Sequence, residues 1–148
     1  MSEKRADVAE RLFEVFDLVG PLYRRTYVKV ERDVAAEGLS VGVRAVLTML
    51  YGRGPMTVPQ MGRFQALSRQ FVQRMVNDAA ALGYVETAPN PAHKRSSLIR
   101  LTEEGRTVIG SVHDRERDAL HGIAGDLTEE DIDTTLRVLS SLLTVMDD

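Results

Sequence analysis

The hydrophobic period of this 148-residue chain changes character in one region. On either side of it, apolar positions recur at spacings of three and four, as on a helix face. Within it, Tyr84-Val85-Glu86-Thr87 and Ser97-Leu98-Ile99-Arg100-Leu101 read as extended strands. The polar stretch beginning Pro89-Asn90-Pro91 joins them, so the segment reads as a β-hairpin with a long basic tip. A mainly α order with one small β-hairpin, between the fourth and fifth helices, restricts the fold class before any motif is considered.

The first helix is expected over about residues 4–37, with Leu12, Phe16, Val19, Tyr23, Tyr27, Val30 and Val34 on one face. Gly20-Pro21 interrupts it, because an interior proline loses a hydrogen bond and crowds the preceding turn. A kink is expected there, or a short helix followed by a long one. Gly38 ends the helix, and Ser40 caps a second one over about 41–51. After the turn Gly52-Arg53-Gly54-Pro55, Met56-Thr57-Val58 reads as a very short strand, and Pro59 opens a third helix ending near Phe64. Ser68 caps a fourth helix that stops at Gly83, Thr102 a fifth reaching about Ile123, and Thr128 the last. Along the last helix Ile132, Leu136, Leu139, Leu143 and Met146 form a stripe widened by Thr135, Val138, Leu142 and Val145. An apolar face of that width must be covered by something.

Composition narrows the function classes. The absence of Cys excludes a disulfide scaffold, thiolate metal sites and every cysteine nucleophile or thiol sensor. None of His93, His113 and His121 belongs to an H-E-x-x-H pattern, and Gly52-x-Gly54 lacks the third glycine of a nucleotide fingerprint. Glu103-Glu104 and Glu129-Glu130 sit in first turns of helices, where they complement the dipole. The expectation is a protein that is not an enzyme and uses no cofactor and no metal. A charged opening and the lack of a long apolar run predict a cytoplasmic chain with no membrane partner. The net charge of −3 conceals a polarity. Between Arg53 and Arg100 seven basic residues face two acids, a local net of +5 that leaves −8 in the flanks. Such a stretch is either a nucleic-acid footprint or a solvated surface whose charges pair elsewhere.

The fourth helix bears on that choice. At 100° per residue, Phe71, Val72, Met75, Val76, Ala79 and Leu82 fall on one side, and Arg69, Gln70, Gln73, Arg74 and Asn77 on the other. Arg forks onto guanine, and Gln or Asn pairs bidentately with adenine. A short helix, a three-residue turn and this helix make a helix-turn-helix, whose second member enters a major groove N-terminus first. The hairpin directly behind makes the unit a winged helix, with Lys94 and Arg95 at a tip suited to a minor groove.

Asn90-Pro91-Ala92-His93-Lys94-Arg95, followed by Leu101-Thr102-Glu103-Glu104-Gly105, resembles the wing signature of the MarR family of transcriptional regulators. That signature reads roughly D-P-x-D-R-R and then L-T-x-x-G. The resemblance extends through the chain's length, its six-helix order and Ser68-Arg69-Gln70 at the start of the fourth helix. It implies an obligate homodimer whose first, fifth and sixth helices interlock, with two winged helices straddling a pseudo-palindromic double-stranded DNA operator. It further implies a repressor of neighbouring genes or its own, released by a small phenolic or lipophilic effector bound between the DNA-binding and dimer regions. Phe16, Tyr23, Tyr27 and Met49 are the candidate lining residues for that ligand; without the resemblance each reads as core. The chain departs from the signature at Asn90 and His93, which occupy the two Asp positions, and at Lys94, which replaces the first wing Arg. In the family an acid there braces the wing arginines, so its loss implies a less restrained Arg95 and a more basic tip.

The expected organisation is a helical dimerisation region, residues 1–37 and 103–148, around a winged helix-turn-helix DNA-binding domain, residues 38–102. Expected contacts are Arg69, Gln70, Gln73 and Arg74 in the major groove, Lys94 and Arg95 on the wing, and Arg63 or Thr57 on the backbone. Ser68 caps the helix and is offered to a phosphate. A rival from another class makes the same basic face a protein-interaction module that docks an acidic partner without specific DNA binding. A small-molecule enzyme would need a reactive group that the sequence does not supply.

Overall fold

A computed structural model describes residues 2–147, with side chains from Asp7 onward. The described residues form α1 (Ser2–Glu37), α2 (Val41–Arg53), α3 (Val58–Gln65), α4 (Arg69–Ala81), β1 (Val85–Ala88), β2 (Leu98–Leu101), α5 (Glu103–Ala124) and α6 (Glu129–Val145). The chain divides into two compact units, one up to Gly110 and one from Ser111. No single helix among the described residues is long and apolar enough to cross a membrane.

Helix α1 continues through Pro21, so the expected division into two helices does not occur. Proline costs about 3 kcal/mol inside a helix, through a lost backbone donor and a crowded turn, yet the helix runs on from Pro21 to Glu37. Gly38, at φ +69°, ends it, and the Leu39 N–H donates to the Val34 carbonyl at 3.0 Å. This is the six-to-one bond of a Schellman close. Across that close, Arg44 Nη1 of α2 donates to both Glu37 oxygens, at 2.8 and 3.1 Å. Both side chains are less than a tenth exposed, so the pair ties α1 to α2 inside the protein. Removing one partner of such a pair costs about 3–5 kcal/mol, because the other charge stays buried.

The core of the first unit lies where α2 packs on α4 and β2, and α3 on α4. Val43, Val46, Leu47, Leu50, Met61 and Val72 are its largest fully buried side chains. Each contributes about 1.5–3 kcal/mol by leaving water. The hairpin closes the unit, with Val85 opposite Leu101 and Thr87 opposite Ile99. Val85, Ile99 and Leu101 turn inward, while Glu86 and Arg100 pair across the outer face at 2.9 Å.

The strand expected at 56–58 shrinks to a single bridge, Met56 to Ile99. Thr57 is the reason. Its hydroxyl accepts from the Gln60 N–H, and Gln60 Oε1 accepts from the Thr57 N–H. That capping box turns the chain into α3 at Val58.

The second unit is built differently. Thr128 caps α6 in a capping box with Asp131, yet no residue of α6 is buried. Among the unit's described residues only Val112 is. Ile132, Leu136, Leu143 and Met146 are all about half exposed or more, so the stripe stands open in the protomer.

Candidate nucleic-acid interface

The turn before α4 is set by close backbone approach. The Leu67 N–H donates to the Gly62 carbonyl at 2.9 Å, and Ala66 takes the left-handed conformation at φ +54°. A Cβ on Gly62 would lie 2.9 Å from the Leu67 carbonyl oxygen, so only glycine fits there. Ser68 then caps α4, its hydroxyl accepting from the Phe71 N–H at 3.1 Å.

Val72, Met75, Val76 and Ala79 fix the inner face of α4 in the core. Arg69, Gln70, Gln73, Arg74 and Asn77 are exposed on the other side. Two residues depart from the expected division. Phe71 and Leu82 were placed by periodicity on the packed side, yet they are 43% and 48% exposed. They flank the buried arc, and the core ends before reaching them. Phe71 instead lies beneath Arg74, whose guanidinium carbon is 5.9 Å from the ring centroid.

Helix α4 and the wing face a shared concavity of about 500 Å³. Arg69, Gln70 and Gln73 line it from the helix; Arg95, Ser96 and Ser97 line it from the hairpin loop, with Val58 and Pro59 of α3. A second concavity of about 390 Å³ brings Arg63 and Arg69 beside Asn90 and His93. Arg69 lines both. Arg74 and Lys94 are exposed but line neither.

Among the described residues no ion pair holds Arg63, Arg69, Arg74, Lys94 or Arg95. The rest of the basic segment is engaged. Arg100 pairs with Glu86, and the Arg53 guanidinium stacks 3.5 Å from the centre of the Phe64 ring. Of the segment's charges without an ion pair, all but Arg53 therefore lie on α3, α4 and the wing tip.

Thr57 lines the second concavity beside Arg63 and Arg69. It is 6% exposed, and its hydroxyl is committed to the α3 cap. It shapes the helix-turn-helix from inside, which leaves Arg63 as the exposed candidate on α3.

In the wing, Asn90 keeps the turn although it lacks the acid of the family signature. Its Oδ1 accepts from the Ala92 N–H at 3.1 Å, and its carbonyl accepts from the His93 N–H at 3.2 Å. An amide oxygen forms the same turn as a carboxylate would; what the substitution removes is the negative charge.

The four candidate effector residues are not brought into one pocket. Met49 is buried in α2, whereas Phe16, Tyr23 and Tyr27 stand exposed on α1. The core alternative thus holds for Met49 and is corrected for the other three. The Tyr23 and Tyr27 rings lie 6.2 Å apart, one turn from each other. Neither concavity described above is lined by any of the four. Among the described residues no cluster of His, Asp and Glu is arranged to hold a metal ion.

A profile of the MarR family matches residues 37–96, from the end of α1 to the wing. Over 109 residues the chain is 36% identical to an uncharacterised protein of Mycobacterium tuberculosis, covering 74% of this chain and 73% of that one. It is 27% identical over 147 residues to the transcriptional activatory protein BadR of Rhodopseudomonas palustris, covering 96% and 82% respectively. The crystal structure of a MarR family transcription regulator superposes with a TM-score of 0.71 at 26% identity, over 95% of this chain and 93% of that one.

Proposed function

The chain belongs to the MarR family and is a DNA-binding transcriptional regulator; from that premise we propose that it reads a pseudo-palindromic duplex operator as a homodimer and represses the genes beside it. The observation that carries the proposal is the concavity shared by α4 and the wing, where Arg69, Gln70, Gln73 and Arg95 face one space. Helix α4 enters the major groove N-terminus first, so Arg69, Gln70 and Gln73 reach base edges before the helix axis leaves the groove. Arg74 follows one turn behind Gln70. Lys94 and Arg95 follow the adjacent minor groove, Arg63 meets the backbone, and the capped Ser68 stands at the helix entrance beside the phosphates.

The apolar faces left open on α1 and α6 support the homodimer. A lipophilic or phenolic effector belongs to the same reading, with Phe16, Tyr23 and Tyr27 as an aromatic wall on α1. Repression follows if the operator overlaps the start of transcription. The relative BadR is named for activation, so a reporter carrying the selected operator decides the sign.

Selection of bound duplexes from a random pool tests the core of the proposal, and an inverted repeat is expected. Arg69→Ala and Gln73→Ala should each relax preference at a base pair, by ~1–3 kcal/mol of discrimination. Lys94→Ala should weaken binding to all sequences and lower the salt slope by about one unit. Unchanged duplex binding in both Arg69→Ala and Arg95→Ala would overturn it. No duplex binding at ~50 mM salt, where phosphate contacts are strong, would favour docking of an acidic protein instead.

A further inference from the structure

Gln73 does not face the groove with a free amide. Its Nε2 donates to Asn77 Oδ1 at 2.9 Å, one turn further along the exposed side of α4. Gln73 lines the concavity shared with the wing, whereas Asn77 does not, so the bond ties a groove residue to one behind it. A glutamine amide has two N–H donors and one acceptor oxygen. With one N–H held by Asn77, one donor and the oxygen remain to be presented. Adenine offers an acceptor at N7 and a donor at N6, which is the complement of that remaining pair. Guanine offers two acceptors, N7 and O6, and the tethered amide cannot give a donor to each.

We propose that Asn77 is a positioning residue that orients the Gln73 amide and thereby makes it read adenine in preference to guanine. This rests on the reading of Gln73 as a base contact. Without Asn77 the amide is free to rotate about its terminal torsion, so its two edges are presented interchangeably.

The test compares base preference and salt dependence for the full-length protein and its Gln73→Ala, Asn77→Ala and Asn77→Asp variants on duplexes from a random-pool selection. The wild type should select adenine at one position of each half-site, and Gln73→Ala should lower that preference by about 5- to 100-fold. Asn77→Ala should lower it at the same base pair by about 3- to 10-fold, with the salt slope unchanged. Asn77→Asp keeps an acceptor for Nε2, so it should retain the preference while losing affinity for all sequences alike. That pattern cannot come from a structural role, which would move affinity and thermal midpoint without singling out one base pair. If Gln73→Ala relaxes a base pair and Asn77→Ala leaves it untouched, the positioning role is overturned and the base contact stands. Loss of the preference in Asn77→Asp also overturns the positioning role. If Gln73→Ala relaxes nothing, Gln73 is not a base contact and both ideas fall; if the relaxed position is guanine, the contact stands and the positioning proposal falls.

Discussion

Gly105 accounts in geometric terms for the glycine of the L-T-x-x-G stretch. Thr102 Oγ1 accepts from the Gly105 N–H at 3.0 Å and donates to the Gly83 carbonyl at 2.6 Å, drawing the start of α5 onto the hairpin base. A Cβ on Gly105 would then lie 2.0 Å from the Tyr84 carbonyl oxygen. Gly105→Ala should therefore cost roughly 3 kcal/mol, seen as a lowered thermal midpoint. Gly122, on the same helix, has nothing within 4 Å of its would-be Cβ. Gly122→Ala should act in the opposite direction, adding about 0.5–1 kcal/mol through helix propensity. At this scale the caps at Ser40, Ser68, Thr102 and Thr128 were legible, because capping joins a side chain to backbone only three residues away. The Glu37–Arg44 pair was not, since its partners sit on different helices and meet only when the α1–α2 close forms. Thr57 was ambiguous for a related reason. A threonine before a Pro-containing helix start fits both a cap and a phosphate contact, and sequence alone does not show that the cap forms.

Among the elements, α6 depends most on its own termini, having no buried residue to hold it. Asp131 accepts from the Thr128 N–H at 3.0 Å while the Thr128 hydroxyl accepts from the Asp131 N–H at 3.2 Å. The backbone bond first, then the side-chain bond, holds the Asp131 carboxyl below its usual range. A carboxyl depressed in the folded state adds stability above its unfolded pKa and loses it as pH falls through the folded value. The amide signals of residues 129–132 should therefore move toward coil positions on acidification below about pH 4. In Asp131→Ala they should start nearer those positions and show no such acid response. The two faces of α4 could be read from periodicity because burial there follows the helix angle. The continuity of α1 through Pro21 and the absence of a full strand at 56–58 could not be read from the sequence. Proline sets a local cost without setting whether the flanking turns outweigh it, and a β-like triplet yields to a capping box that reaches into the next helix.

For the whole molecule, the open surfaces matter most. Phe13, Phe16, Val19, Tyr23 and Tyr27 on α1, and Ile132, Leu136, Leu143 and Met146 on α6, are exposed to an extent that soluble monomers seldom tolerate. The stripe on the last helix was plain in the sequence, and the homodimer proposed above would cover it. Leu136→Asp should shift the protein to monomer in sedimentation. It should also abolish preference for an inverted repeat whose half-sites lie about 10 base pairs apart, or a multiple of that, while single half-sites still bind weakly. A helix without interior residues has a further consequence. If α6 finds its interior only in another copy, folding of that part of the chain is second order in protein. The thermal midpoint should then climb with concentration. Expression level becomes an input: dilute protomers lose α6 before they find DNA, and occupancy of an operator rises more steeply than the number of molecules made.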